Sequence, residues 1–62
     1  MNKSLERDGK VYQTIIKKND FDEYVVQVLI DGVLQPEKAW YHTDDRADAI
    51  ATAAIIRRTY TV

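Results

Sequence analysis

Two stretches in the first half of the chain are rich in β-branched and aromatic residues, as is typical of β-strands. The first stretch, residues 10–18, reads KVYQTIIKK and is followed by an Asn-Asp turn signal. The second, residues 24–30, reads YVVQVLI, in which every second residue from Tyr24 is apolar and the intervening positions are mixed. This second pattern predicts a strand in the middle of a sheet.

A two-residue hairpin signal, Asp31-Gly32, follows the second strand. A type I′ turn needs positive φ at both central residues, and Asp and Gly tolerate this conformation best. The turn therefore sets the register of the hairpin, whose facing pairs are Ile30 with Val33 and Leu29 with Leu34. Because Pro36 has no N–H to donate to a ladder, the third strand is predicted to be an edge strand, broken around 36–38 and resuming near 39–42.

The last third of the chain is predicted to be a helix over residues 43–60. Thr43 is the expected N-cap, and the aspartates that follow it suit the positive end of the helix dipole. Arg57 and Arg58 carry the opposite sign at the other end. The segment between them is rich in alanine and contains neither Gly nor Pro.

These elements predict an α+β fold in the order βββα. Three strands form an antiparallel meander, and the single C-terminal helix packs on one face of it. Residues 1–9 show no apolar period and are predicted to be a flexible lead-in. Residues 10–62 are then the single folded domain.

The apolar residues of the predicted helix point in more than one direction. At about 100° per residue, Ile50 and Ile56 lie about 120° apart, and Ile55 is about 100° from Ile56 on the far side. One stripe is expected to cover the sheet: Ala49, Ile50, Ala53, Ile56 and Tyr60. A second stripe is expected to be left for a partner: Ala47, Ala51, Ala54, Ile55 and Arg58. The alternative is that the apolar residues of both stripes belong to one core, with a single isoleucine exposed.

The length of 62 residues strengthens the expectation of a partner. A domain of this size buries only about 60% of the surface that its unfolded chain exposes. There is no cysteine for a disulfide, and a single histidine with no thiolate is a poor basis for a structural metal site. We therefore expect a homodimer, or binding to another protein, and no cofactor.

Charge and hydropathy narrow the possible partners. Nine Lys and Arg against ten Asp and Glu leave a net charge of −1, so no general affinity for nucleic acid is expected. The chain begins without an apolar signal-like stretch, and no run of about 18 apolar residues could span a membrane. A cytoplasmic protein is the expectation.

Candidate chemistry is sparse, and the chain is expected not to be an enzyme. His42 stands beside Thr43 and two aspartates, but a histidine next to a helix N-cap is typically solvated. Asp20, Asp22 and Glu23 lack the glycine and the final glutamate of an EF-hand loop, so a solvated turn is expected. No phosphate-binding glycine motif or nucleophile motif occurs, and no small-molecule substrate is expected.

Trp40 and Tyr41 are candidate aromatic anchors for a protein partner, because aromatic residues dominate interface energetics. The alternative for Trp40 is that it seals the edge of the small core where the third strand meets the helix.

A nucleic-acid-binding module is the alternative function. The element order is similar to that of AP2-type and integrase amino-terminal DNA-binding domains, which read DNA with a sheet face. Those folds need several basic side chains on that face. Here the lysines lie near strand ends: Lys10, Lys17, Lys18 and Lys38.

Residues 41–53, YHTDDRADAIATA, follow a hairpin closed by IDG. This segment resembles small phage- and prophage-encoded proteins of βββα order, and more loosely HicB-type antitoxins, in which a strand also leads into a Thr-capped, Ala-rich helix. The resemblance implies a non-enzymatic accessory protein that docks on a host or phage protein, for example as an inhibitor.

Overall fold

The computed structural model describes residues 1–61, which form one antiparallel sheet and one α-helix. The strands are β1 (Asn2–Arg7), β2 (Lys10–Lys18), β3 (Tyr24–Ile30), β4 (Val33–Leu34) and β5 (Tyr41–Thr43), and the helix is α1 (Arg46–Thr59). The predicted class, an α+β fold with a single C-terminal helix on an antiparallel sheet, is confirmed. The number of strands is five rather than three.

The central strand of the sheet is β3, as the sequence predicts. On one side β3 pairs with β2, which in turn pairs with β1. On the other side it pairs with β5 along its first half and with β4 at its end. These two short strands are the halves of the predicted third strand, and a 3-10 turn, Glu37–Ala39, separates them directly after Pro36.

The hairpin between β3 and β4 has the predicted register, with Ile30 opposite Val33 and Leu29 opposite Leu34. Asp31 has a φ of 51° and Gly32 a φ of 82°, as a type I′ turn requires. The side chain of Asp31 also accepts a hydrogen bond of 2.8 Å from the Val11 amide of β2, so the turn is tied to the neighbouring strand.

The structure corrects the expectation that residues 1–9 are a flexible lead-in. β1 pairs with β2 along its whole length, from Asn2 opposite Ile15 to Arg7 opposite Lys10. The turn that joins the two strands, Asp8-Gly9, has positive φ at both residues, like Asp31-Gly32. Because the backbone ladder and this turn hold β1, the strand needs no apolar period.

The helix begins later than predicted, and Thr43 is not its cap. Asp45 is the N-cap, with its carboxylate accepting from the amides of Ala47 at 2.9 Å and Asp48 at 3.3 Å. Thr43 ends β5, and its hydroxyl accepts from the Asp45 amide at 3.2 Å in the connecting turn. Asp45 wins the capping position because β5 keeps Thr43 extended in its pairing with Tyr24.

The core lies between α1 and one face of the sheet. Val26, Ala49 and Ala53 are its fully buried centre. Partly buried side chains pack around that centre: Ile16, Tyr24, Tyr41 and Ile56. The small alanines let the helix backbone approach β3 closely. Of the stripe predicted to cover the sheet, Ala49, Ala53 and Ile56 pack in this core, and Ile50 and Tyr60 are partly buried.

Candidate interaction surfaces

The second stripe of the helix lies on the side of α1 that faces away from the sheet. Its exposed members recur at spacings of four, four and three residues: Ala47, Ala51, Ile55 and Arg58. Ile55 keeps 49% of its surface exposed, which makes it the main apolar side chain of this face. Ala54, the fifth predicted residue, is only half exposed and turns toward β1. We call the four exposed residues, with Asp44, the outer stripe.

Charge is distributed unevenly along the outer stripe. Asp44, exposed just before the N-cap, is 14 residues from Arg58 and seven from Ala51. At about 100° per residue, the four helical members lie within about 80° of one another around the axis, whereas Asp44 lies in the turn before the N-cap Asp45, at the N-terminal end of the helix. The stripe is acidic at its start, apolar in the middle and basic at its end.

The C-terminal end of α1 is held to the sheet by Arg7. Its Nε donates to the Arg57 carbonyl at 2.9 Å, and its Nη2 donates to the Tyr60 carbonyl. The guanidinium also lies 3.7 Å from the centre of the Tyr12 ring. This clamp satisfies carbonyls that a helix end leaves without partners. No sequence pattern points to this clamp, because it joins residues about 50 positions apart.

A shallow cleft of about 300 Å³ opens between β1 and the C-terminal half of α1. Its lining combines cationic side chains with a small apolar floor: Lys3, Ser4, Leu5, Ala54, Arg57 and Arg58. No acidic residue contributes to this lining. The cleft is therefore a local basic site on a chain of net charge −1.

A polar contact joins the N-terminal end of α1 to β5. The Tyr41 hydroxyl donates to the Asp48 carboxylate at 2.6 Å, and the Thr52 hydroxyl donates to it at 3.4 Å. The hydrogen bond to Asp48 raises the pKa of Tyr41, and the same bond, with further help from Thr43 and Thr52, lowers the pKa of Asp48. Tyr41 is thus engaged within its own fold, by its hydroxyl and by its ring.

Trp40 does not seal the core beneath the helix. Trp40 is extended and precedes Tyr41, so alternation directs it to the opposite face of the sheet. Its Nε1 donates to the Gln35 carbonyl at 2.9 Å, which closes the loop around the 3-10 turn. The face it shares is not covered by α1 and carries apolar residues of several strands: Val11, Ile15, Val25, Leu29 and Leu34. We call this the open sheet face.

The remaining candidates have local structural roles. The Asn19 side chain accepts from the amides of Phe21 and Glu23, which shapes the turn between β2 and β3, and Asp22 makes an exposed ion pair of 3.5 Å with Lys18. His42 is exposed on β5, opposite Val25. Over residues 1–61, no three His, Asp or Glu side chains are grouped so that they could share a metal ion.

Across the same residues, no helix has the length and apolar character needed to cross a membrane. Comparison with protein-family models, with curated proteins and with solved structures finds no match to this chain.

Proposed function

We propose that this protein is a non-enzymatic protein-interaction module that acts as a homodimer, in which α1 packs antiparallel against α1 of a second copy. One observation carries the proposal. The outer stripe is complementary to itself when reversed, because its charges have opposite signs at its two ends and its middle is small and apolar.

The spacing of the stripe supports this arrangement. A two-fold axis at Ala51 would bring Ala47 against Ile55 of the second copy and Asp44 near its Arg58, since each pair is centred on position 51. Such a contact is isologous, as in most soluble dimers. The alanines would let the two helix backbones approach closely, and each Ile55 would fill the space beside the opposite Ala47.

The expected affinity is modest. One face of a helix of 14 residues is a small surface beside the roughly 800 Å² that each partner buries in a standard interface. Full burial of an isoleucine contributes about 1.5–3 kcal/mol, and Ile55 is already half covered, so each copy gains roughly 1 kcal/mol from it. We therefore expect a weak dimer whose population depends on protein concentration.

Sedimentation velocity of Ile55→Glu tests the proposal, with Leu34→Glu as a matched control. The two side chains have nearly equal exposures, 49% and 50%, but lie on opposite sides of the molecule. We expect Ile55→Glu to be monomeric and Leu34→Glu to sediment like the unmodified protein. Dissociation by Leu34→Glu alone would assign the interface to the open sheet face and refute the helix pairing.

A charge exchange tests the antiparallel direction. Arg58→Asp sets two acidic residues against each other in the proposed dimer and should weaken it, whereas Asp44→Arg combined with Arg58→Asp should restore it. A double variant that is no more dimeric than Arg58→Asp would contradict antiparallel packing.

A further inference from the structure

The cleft between β1 and α1 gathers positive charge without a counter-charge. Lys3 comes from the edge strand, and Arg57 and Arg58 come from the last turn of the helix. Within residues 1–61 there is one ion pair, between Lys18 and Asp22. None of the three cations of the cleft therefore forms an ion pair with a carboxylate of these residues. Their repulsion is left uncompensated by the part of the chain that the structure describes.

Arg57 is held in a fixed position. Its Nη1 donates to the buried hydroxyl of Thr14 at 2.6 Å, and its carbonyl accepts from Arg7. A guanidinium has five N–H donors, and this bond is the one hydrogen bond that the Arg57 side chain donates within the described residues. Arg57 is also partly buried, so its remaining donors are pre-oriented rather than freely hydrated.

We propose that this cleft binds the phosphate group of a small monophosphate ester, with Arg57 and Lys3 as the binding cations. A phosphate monoester carries a charge of about −1.5 to −2 near neutral pH and offers three acceptor oxygens, which suits a cleft lined by several cations better than a carboxylate does. The ester's organic part rests on Leu5 and Ala54. This inference goes beyond the proposed dimer.

The size of the cleft favours a small ligand over a polymer. About 300 Å³ is at the lower end of the range for small-molecule pockets. A nucleic-acid backbone would need cations spread along a track, whereas these three line a single cleft. Arg58 lines the cleft but also belongs to the outer stripe, so it is assigned to the helix contact.

The test is an NMR titration of the full chain with inorganic phosphate and phenyl phosphate, against sodium chloride at matched ionic strength. We expect saturable shifts of the amides at positions 3–5 and 54–58, with phenyl phosphate binding more tightly because its ring covers the apolar floor. Equal shifts with chloride would show general screening and overturn the proposal. So would tighter binding of a single-stranded oligonucleotide than of phenyl phosphate at equal phosphate concentration, which would favour a nucleic-acid surface.

Two variants test whether Lys3 and Arg57 bind the phosphate group. Lys3→Glu changes an exposed residue of the edge strand and should weaken phenyl phosphate binding roughly tenfold, the effect expected for one charge-assisted contact. Arg57→Lys keeps the charge but loses the forked donors and should also weaken binding. Lys38→Glu, on the 3-10 turn, is the matched control.

Equal affinities for Lys3→Glu and Lys38→Glu would refute the site even if Arg57→Lys failed to fold. Because neither lysine belongs to the outer stripe, sedimentation of the same variants separates a failure of this site from a failure of the dimer.

Discussion

Individual side chains join the two ends of α1 to the sheet by different means. At the C-terminal end, Arg7 donates to the carbonyls of Arg57 and Tyr60 and covers the Tyr12 ring. At the N-terminal end, the Tyr41 hydroxyl donates to Asp48. Both contacts pair a charged group with a neutral one, and hydrogen bonds of this kind contribute more than those between two neutral groups.

We expect Arg7→Ala to destabilise the fold by about 2 kcal/mol, because it removes two hydrogen bonds from a charged donor and one cation–π contact. Lys10→Ala is the control, since Lys10 faces Arg7 in the register and is exposed. Urea unfolding measures both changes. Equal losses for the two variants would show that the clamp contributes nothing specific.

The Tyr41–Asp48 bond predicts a pH dependence with a definite sign. Because the pKa of Asp48 is lowered in the folded protein, its contribution to stability is complete above about pH 4 and is lost as the pH falls through the lowered value. The raised pKa of Tyr41 acts in reverse: its contribution is complete below about pH 10 and is lost as the pH rises through the raised value.

We therefore expect the difference in melting temperature between the unmodified protein and Tyr41→Phe to be constant from about pH 5 to 9 and to narrow outside that range. Tyr24→Phe is the control, because Tyr24 packs against the same core as Tyr41. A difference that stays constant down to pH 2 would contradict the role assigned to the bond.

The bounds of the secondary-structure elements in this fold are determined largely by the residues at their ends. Two Asp-Gly turns with positive φ define the β1–β2 and β3–β4 hairpins, and Pro36 divides the outer edge into β4 and β5. The helix start is decided by Asp45, whose carboxylate accepts from two amides of the first turn. β1 is an example, because it is a full strand although its residues are mostly exposed.

The cap assignment predicts that Asp45→Ala costs about 1 kcal/mol, the usual loss for an N-cap. Asp45→Asn should stay within a few tenths of a kcal/mol of the unmodified protein, because asparagine caps equally well. Thermal unfolding followed by circular dichroism measures both. If Thr43→Ala proved more costly than Asp45→Ala, the helix would begin where the sequence pattern alone suggests.

The molecule as a whole is a two-layer structure in which one face of the sheet is covered and the other is not. The covered face supplies the core around Val26. The open sheet face holds Val25, only 8% exposed, together with Leu34 at 50%. A domain of 62 residues with one covered face has a small core, so the proposed association with a second copy would add to its stability.

Association limited to the folded state predicts a melting temperature that depends on protein concentration. Above the dissociation constant, we expect a rise of roughly 3–6 °C for each tenfold increase in concentration of the unmodified protein, and none for Ile55→Glu. Differential scanning calorimetry over a concentration series measures this. A concentration-independent melting temperature would contradict the dimer.

Local patterns in the sequence determined much of this fold. Alternation around Tyr24–Ile30 predicted the central strand, Asp31-Gly32 predicted the hairpin and its register, and Pro36 predicted the break at the edge. The spacing of Ala49 and Ala53 predicted the covered side of the helix. Each of these signals acts over a few residues, which is why the sequence suffices for them.

Asp8-Gly9 is a turn signal of the same kind, but no apolar pattern in the residues before it points to a strand. It is identical in type to Asp31-Gly32, but the residues before it, Asn2–Arg7, are almost entirely polar. Apolar alternation identifies only strands that bury side chains, whereas β1 is held by its ladder with β2. The turn alone would have predicted this strand.

Only the tertiary structure decided which residues meet across the fold. The clamp of Arg7 on the helix end and the shared cleft of Lys3 and Arg57 depend on how the helix lies across the sheet. The choice of Asp45 over Thr43 as cap depends on the pairing of β5 with β3. The partners in these contacts, apart from the cap, are separated by tens of residues. Local propensity does not encode contacts between residues so far apart in the sequence. These contacts follow from the packing of small alanines against β3.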